Sequence, residues 1–320
     1  MSHFTLIERK TLEKLHKKVS YEKIGKVIGK VKSSISAEIR NNSMNGEYDA
    51  EIAHVKVVQR KEQKTKRNKL EISFGLKKYV IQKISEDWSP EQISGELRRQ
   101  TNGKNIISHE TIYQFIYSGE GKQLKLWKHL RHRKKPKRVH WGDRKKRIRI
   151  PERVSIRERP DYINLREEFG HYEGDLMIFS NGKALAVFIE RVTRKTFAVL
   201  NNDKTAAEME LALHELVSSA GQVNIGSITF DNGGENVCHA KVRADYAEQF
   251  DTYFCDSYCS WQKGGVENAN KLLRQYLPRD ISLEKLTQDY VDEVVAKLNS
   301  RPRKKLGYST PNTEFKIRSV

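Results

Sequence analysis

The chain has 320 residues, of which 32% are charged and 37% are apolar, and its formal net charge is +19 at pH 7. This length allows two or three domains, and the plentiful aromatic residues argue against wholesale disorder. No apolar run reaches the roughly eighteen residues of a membrane span, and the first residues lack the apolar stretch of a secretory signal. The three cysteines, Cys238, Cys255 and Cys259, are too few for a disulfide framework, so we expect a cytoplasmic protein.

The positive charge lies in one half of the chain. Residues 1–160 contain 40 Lys+Arg against 18 Asp+Glu, a balance of +22, whereas residues 161–320 balance at −3. A solvated surface alone does not explain this asymmetry. It predicts a nucleic-acid-binding arm joined to a nearly neutral globular body.

Residues 1–50 have the pattern of a helix-turn-helix domain. A helix that begins after Ser20 is expected to end at Gly29, and a second helix is expected to open at Ser33 and carry Ile35 and Ile39 inward. A plain helical hairpin has the same spacing, and the basic context favours DNA binding. The positions predicted to contact DNA are Ser33, Ser34, Ser36, Ala37 and Arg40.

A second helical module is predicted over residues 70–120, after a basic helix or linker over residues 51–69. Ser89 before Pro90, and Ser108 further on, are typical helix N-caps. This is a second candidate helix-turn-helix, although a purely structural helical pair fits it somewhat better than it fits the first module.

Residues 121–160 are predicted to form a basic linker. Eleven Lys+Arg fall within residues 131–149, a density that repels itself, so we expect a flexible connector that follows DNA phosphates. Its predicted DNA contacts are Lys134, Lys135, Lys137 and Arg138.

Residues 161–320 change to an α/β pattern. Three strands, a helix, a strand, a helix, a strand and a helix are typical of an RNase H-like fold, a mixed sheet with helices on both faces. The predicted strands are 171–180, 183–192, 195–202, 226–232 and 251–256, and the predicted helices include 205–219, 264–277 and 282–300. The whole chain is thus predicted to be multidomain, with all-α helix-turn-helix modules before a retroviral-integrase-like catalytic domain.

Three carboxylates lie at positions that this fold would bring close together. Asp175 lies in the first strand, Asp231 ends the fourth within TFDNGGEN, and Glu267 lies early in a helix. The first and fourth strands of such a fold are neighbours, so the two aspartates are expected side by side. Carboxylates brought together repel unless a cation joins them, and Mg²⁺ prefers oxygen ligands. Rival ligands are Glu167, Glu168, Glu173 and Glu235.

The chain resembles the bacterial insertion-sequence transposases of the DDE type, specifically the IS-thirty family. The resemblance lies in WSPEQISGEL, SHETIYQFIY, YEGDLM, TFDNGGEN, YFCDSYCSWQKGGVENANKLLRQYLP and RPRKKLGYSTPNTEF, and it covers nearly the whole chain. It implies that Asp175, Asp231 and Glu267 are the catalytic triad that holds two Mg²⁺ ions, with Mn²⁺ as a substitute. Thirty-five residues separate Asp231 from Glu267, as is typical of such recombinases.

The resemblance also implies roles around the triad. Arg274, two helical turns after Glu267, is expected to touch DNA phosphate, and Asn268 is expected to orient Glu267. Gln262 and Lys263 are expected to contact DNA near the cleaved phosphate. Trp261 is interpreted as an anchor for this loop, with base stacking as the alternative, and Gly233–Gly234 as the pair that lets the backbone turn away from the site.

The expected function is therefore DNA transposition, recombination and integration. The chain would bind the terminal inverted repeats of a mobile element, cut there, and join the ends to target DNA as a homo-oligomer. No membrane and no small-molecule substrate are expected. One alternative is a non-catalytic, sequence-specific DNA-binding regulator with an RNase H-like dimerisation domain. The other is a simple nuclease, for which two DNA-binding modules would be excessive.

Overall fold

The computed structural model describes residues 4–64, 70, 73–131, 149–257 and 259–319. The chain divides into two compact units, Met1–Ile72 and Ser73–Val320. The predicted connector contacts Lys134, Lys135, Lys137 and Arg138 lie outside the described residues.

The first unit is helical. Thr5 and Glu8 form a reciprocal capping box that starts its first helix, and Gly29 ends the second helix at φ 66°, a left-handed conformation that glycine adopts without strain. The described helices of this unit are α1 (Leu6–Leu15), α2 (Tyr21–Ile28), α3 (Lys32–Asn42) and α4 (Ala50–Lys64).

The core of the first unit is small and apolar. Its buried members are Phe4, Leu12, Ile24, Ile35, Tyr48 and Ala53. The buried Arg9 guanidinium donates to Glu38 Oε1 at 2.8 Å and to the Phe4 carbonyl at 2.8 Å, which satisfies its charge within the helical packing.

The predicted start of α3 at Ser33–Ser34 is one to two residues late, because the helix begins at Lys32 with Val31 at the N-cap position and no capping side chain. The predicted faces are confirmed at Ile35, which is buried, and at Ser36 and Arg40, which are exposed, whereas Ala37 and Ile39 are both half-buried.

The second unit begins with a group of helices. Both predicted N-caps are confirmed: Ser89 forms a capping box with Gln92, and Ser108 accepts from the Thr111 amide. The helices are α5 (Phe74–Ser85), α6 (Pro90–Gln100), α7 (His109–Tyr117) and α8 (Gly119–Gln123). Gln92 Nε2 donates to the Pro302 carbonyl at 2.8 Å, so α6 packs against the C-terminal part of the chain.

In the described residues, six strands form one mixed sheet in the order β1-β6-β5-β2-β3-β4. β2 pairs antiparallel with β3, which pairs antiparallel with β4, whereas the β2–β5, β5–β6 and β1–β6 pairs are parallel. The strands are β1 (Val154–Ser155), β2 (His171–Ile178), β3 (Ala184–Glu190), β4 (Thr196–Asn201), β5 (Ser227–Phe230) and β6 (Asp251–Phe254). The prediction that the first and fourth long strands are neighbours is confirmed.

The remaining helices cover both faces of the sheet. They are α9 (Asp161–Leu165), α10 (Ala206–Ala220), α11 (His239–Asp245), α12 (Gly264–Leu273), α13 (Gln288–Asn299) and α14 (Pro311–Arg318). Alternate residues of β3 point to opposite faces: Phe188 packs in a core with α10, and Val187 packs in a core with α12 and α13. Both faces are therefore apolar, which explains why β3 is buried along its whole length.

Two helix boundaries differ from the sequence prediction by several residues. The predicted helix 264–277 ends at Leu273, and the predicted helix 282–300 begins at Gln288, where Thr287 caps its first turn. The helix α11 lies between β5 and β6, where the predicted order has a helix without stated bounds, whereas the short strand β1 and the helix α14 were not predicted.

Candidate active site

The two aspartates stand side by side at the centre of the sheet. Parallel pairing aligns Glu173 on β2 with Thr229 on β5, and two residues further along each strand come Asp175 and Asp231. Asp231 is the first residue after β5, so its carboxylate lies where that strand ends. The expected juxtaposition of these two side chains thus follows from strand register.

The ammonium of Lys263 lies between these carboxylates. Its Nζ is 3.0 Å from Asp175 Oδ1 and 3.6 Å from Asp231 Oδ2, and it donates to the Gly174 carbonyl at 2.9 Å. Lys263 is buried, and burial alone would lower its pKa. The two carboxylates outweigh burial and raise the pKa above its ordinary value, so Nζ is charged. Both aspartates therefore converge on one cationic point.

Two asparagine amides hold the carboxylates in place. Asn270 Nδ2 donates to Asp175 Oδ2 at 2.6 Å, and Asn236 Nδ2 donates to Asp231 Oδ1 at 3.0 Å. The Oδ1 atoms of both asparagines are buried without a hydrogen-bond partner. The site therefore offers further oxygen acceptors beside the aspartates.

Glu267 lies on the helix that crosses this site but does not join the aspartates. It shares one stripe of α12 with Asn270 and Arg274, at i, i+3 and i+7. Its side chain is 49% exposed and pairs with Lys271 at 3.0 Å. Among the described residues, no group of three or more His, Cys, Asp or Glu side chains is close enough to hold a metal ion. The helix has the expected placement, and its carboxylate points to solvent.

A buried ion pair fixes α12 on the sheet. Glu173, fully buried, accepts from Arg191 Nη1 at 2.7 Å and from the Val266 amide at 3.0 Å. A Cβ added at Gly265 would lie 2.5 Å from Glu173 Oε2, so only glycine allows the first turn of α12 to approach this closely. Glu173, a rival ligand in the sequence, is thus committed to packing.

Other predicted residues have structural contacts. Arg274 Nη2 donates to the Ile178 carbonyl at 2.9 Å, and Gln262 Nε2 donates to Asp256 Oδ2 at 3.1 Å. Asn268 lies on the opposite flank of α12, beside a cavity, and it is the neighbouring Asn270 that contacts a predicted catalytic carboxylate. Trp261 is 72% exposed, so its interpretation as a loop anchor is wrong.

The turn after Asp231 also differs from expectation. Gly233 has φ −74° and ψ 148°, and neither it nor Gly234 adopts positive φ. A Cβ at Gly233 would lie 2.3 Å from the Glu235 carboxylate. Gly233 therefore makes room for a side chain, and the expectation that the pair supplies unusual backbone freedom is wrong.

Comparison with known proteins identifies the class of protein. The chain is 35% identical over 302 residues to the transposase for insertion sequence element IS4351 of Bacteroides fragilis, covering 93% of this chain and 90% of the relative. It is 33% identical over 320 residues to transposase InsI for IS30A of Escherichia coli, covering 97% and 82%. It is 35% identical over 305 residues to the transposase for IS1086 of Cupriavidus metallidurans, covering 92% and 88%. No protein-family model matches the chain.

One solved structure, the catalytic core domain of BIV integrase, matches at 17% identity and a TM-score of 0.38, over 47% of this chain and 95% of the other. A likeness this low adds nothing to what the sequence relatives establish.

The relatives define an insertion-sequence transposase, an enzyme that acts on DNA as a DDE-type polynucleotidyl transferase. The chain belongs to the IS30 family of these transposases, and the resemblance drawn from its motifs is confirmed. None of the described helices has the length and apolarity needed to cross a bilayer.

Proposed function

We propose that Asp175, Asp231 and Glu267 are the catalytic carboxylates of this transposase and that they hold divalent metal, with two Mg²⁺ ions and Mn²⁺ as a substitute. The observation that carries the proposal is the convergence of Asp175 and Asp231 on a single cation, the ammonium of Lys263. Carboxylate oxygens that both reach one ammonium are placed to reach one metal ion, because both cations attract the same lone pairs. Bound there, Mg²⁺ would activate the attacking hydroxyl and stabilise the leaving oxygen of an in-line displacement.

The residues of the chain have distinct tasks in this reaction. The asparagines Asn270 and Asn236 keep the aspartates oriented, and Lys263 supplies positive charge to them until metal and DNA arrive. Glu267 reaches the site by turning its side chain away from Lys271, a change that costs little because exposed i,i+4 pairs are worth about 0.3–0.5 kcal/mol.

DNA recognition is assigned to the first unit. The α2–α3 pair, separated by the Gly29 turn, would place the exposed α3 face in the major groove, with Ser33, Ser34, Ser36, Ala37 and Arg40 toward the bases and phosphates of the terminal inverted repeats. The pair α6–α7 is a second candidate module, and its packing against the C-terminal part of the chain favours a structural role. The exposed Trp261 ring beside the site offers a surface on which an unpaired base can stack.

Joining two element ends to target DNA in one event implies a homo-oligomer on double-stranded DNA, in the cytoplasm at the nucleoid. All three cysteines are free thiols, which agrees with a reducing compartment.

The test is strand cleavage by the full chain with Mg²⁺ and a labelled duplex that carries the end of its own element. We expect a cut at the element boundary that is lost in Asp175→Asn, Asp231→Asn and Glu267→Gln while binding to the end is retained. Glu293→Gln is the matched control for Glu267→Gln, because Glu293 also forms an exposed i,i+4 pair, with Lys297 at 2.7 Å. Tight binding without cutting in Mg²⁺ or Mn²⁺ would favour the DNA-binding regulator instead.

A further inference from the structure

A basic cleft opens on the flank of α12 that faces away from Glu267. Two adjoining cavities of about 470 and 410 Å³ share Arg166, Arg194 and Lys305 as lining residues. The larger cavity is also lined by Arg303 and Lys304 and by the Gly264–Gly265 start of α12. We define the basic cleft by its five cations, Arg166, Arg194, Arg303, Lys304 and Lys305.

Among the described residues, none of these five cations has a carboxylate oxygen within 4.0 Å, the distance of an ion pair. Three acids near the cleft have other partners: Glu173 pairs with Arg191, Glu190 accepts from the Thr193 amide and hydroxyl, and Glu314, which lines the smaller cavity, pairs with Arg318. Positive charge is therefore left over in the cleft, which has two buried guanidinium atoms, Arg166 Nε and Arg303 Nε, without a hydrogen-bond acceptor.

The fold holds this charge at an energetic cost. Burial, together with repulsion from the neighbouring Arg131, Arg301 and Arg194, lowers the pKa of Arg303 to about 10, and the group is still cationic at pH 7. Arg166 and Arg194 both adopt left-handed backbone conformations, with φ of 64° and 62°, which non-glycine residues rarely occupy. An arrangement that concentrates repelling cations and unpaired donors is stabilised when an anion binds.

The lining identifies the kind of anion. Guanidinium and ammonium groups match phosphate oxygens, which accept several charge-assisted hydrogen bonds at once. No aromatic side chain lines either cavity, so a free nucleotide would have no surface on which its base could stack. A sugar-phosphate backbone presents phosphates without requiring base contacts.

We propose that the basic cleft binds backbone phosphates of the duplex DNA that the transposase cuts or joins. The cleft lies on one flank of α12, and Glu267 lies on the other. The inference rests on the proposed function, since it takes the DNA to be positioned for cleavage at the aspartates. Asn268, on the flank of α12 that lines the cleft, then faces DNA backbone rather than Glu267.

The first measurement is lysine footprinting of the full chain. Acetylation of Lys304 and Lys305, both exposed, is followed by mass spectrometry with and without DNA. Lys183 and Lys204 are the matched controls, because they lie beyond the other end of the β3–β4 hairpin. Of these four lysines, we expect DNA to protect Lys304 and Lys305 and to leave Lys183 and Lys204 unprotected. An end-bearing duplex and a random-sequence duplex are compared: protection by the first only assigns the cleft to element DNA, and protection by both assigns it to target DNA as well.

The second measurement is the salt dependence of DNA affinity. The variant Lys304→Gln with Lys305→Gln should reduce the slope of log K against log salt by about two, one for each lost phosphate contact, while Lys183→Gln with Lys204→Gln should leave it unchanged. Arg194→Gln is added as a third variant with folding checked by circular dichroism. Equal slopes for the two double variants, or unprotected Lys304 and Lys305, would overturn the proposal.

The two proposals fail in different ways. If DNA protects these lysines in the wild-type protein but the protein never cuts the element end, the cleft proposal stands and the catalytic assignment is refuted. If the wild-type protein cuts the end but the cleft variant and the control variant bind DNA with equal salt dependence, the cleft proposal is refuted and the catalytic assignment stands.

Discussion

The Lys263 ammonium donates a hydrogen bond to Asp175 Oδ1 at 3.0 Å, although Lys263 lies 88 residues further along the chain. The same ammonium lies 3.6 Å from Asp231, so one buried cation neutralises two predicted metal ligands. A cation in this position competes electrostatically with any metal ion that binds there, and it also prevents the carboxylates from repelling one another when no metal is bound.

Replacing Lys263 with methionine should therefore change metal affinity. Lys263→Met keeps most of the stem and removes the charge, so Mg²⁺ should stabilise the protein at a concentration lower by about tenfold, which corresponds to about 1.4 kcal/mol. Without divalent metal, the melting temperature should fall because Asp175 and Asp231 then repel. The measurement is a thermal melt across a Mg²⁺ titration.

Lys241→Met is the matched control, since Lys241 also forms an ion pair, with Glu210, but on the surface and away from the aspartates. A Mg²⁺ midpoint that rises in Lys263→Met would instead mean that the lysine helps to hold the metal-bound state.

The neighbouring asparagines Asn270 and Asn268 should behave differently on mutation. Asn270→Ala removes the 2.6 Å contact to Asp175, so cleavage should slow by about 10- to 100-fold, the usual effect of losing a group that orients a metal ligand. Binding to the element end should not change. The measurement is single-turnover cleavage beside an end-binding assay.

Asn268→Ala, on the other flank of the same helix, should leave the cleavage step nearly intact. The opposite ranking of the two variants would support the sequence-based interpretation that Asn268 orients Glu267.

Much of the site was predictable because it depends on strand order and register. Asp175 lies within one predicted strand and Asp231 at the end of another, and parallel pairing of those strands brings the two aspartates together. The face of α12 that carries Glu267 was predictable from helical spacing. The role of Lys263 was not, because it depends on how the Ser260–Lys263 turn places a side chain against Gly174, a contact between distant segments. The requirement for glycine at position 265 was not predictable either, because it follows from the Glu173 carboxylate that is buried beneath Gly265.

Truncating the buried Glu173–Arg191 ion pair should strongly lower the stability of the second unit. Both side chains are buried, so Glu173→Ala leaves an uncompensated cation and an unpaired Val266 amide, and the free energy of unfolding should fall by about 3–5 kcal/mol. All four tryptophans lie in residues 73–320, so urea unfolding followed by tryptophan fluorescence reports on this unit alone.

Glu293→Ala, which breaks the exposed pair with Lys297, should cost no more than about 0.5 kcal/mol. A loss of similar size in both variants would show that Glu173 does not hold α12 on the sheet.

His239 should make the second unit sensitive to acid. Its ring is buried, with Nε2 2.7 Å from the Pro151 carbonyl and Nδ1 2.8 Å from Thr252 Oγ1. A neutral ring that carries its proton on Nε2 satisfies both contacts, and burial lowers the pKa of His239 below its ordinary value. The unfolded chain therefore binds a proton more readily than the folded chain, so stability is complete above about pH 6.5 and is lost as the pH falls.

The test of this acid sensitivity is the free energy of unfolding measured from pH 7 to pH 5. It should fall in the wild type and fall less in His239→Gln, because glutamine does not titrate. A residual decline is expected from His171, whose pKa burial also lowers. His109→Gln, a substitution at an exposed helix start, serves as the control and should keep the full decline. Equal slopes in His239→Gln and the wild type would show that His239 does not lose its proton on folding, since linkage requires any pKa difference between the two states to appear as pH-dependent stability.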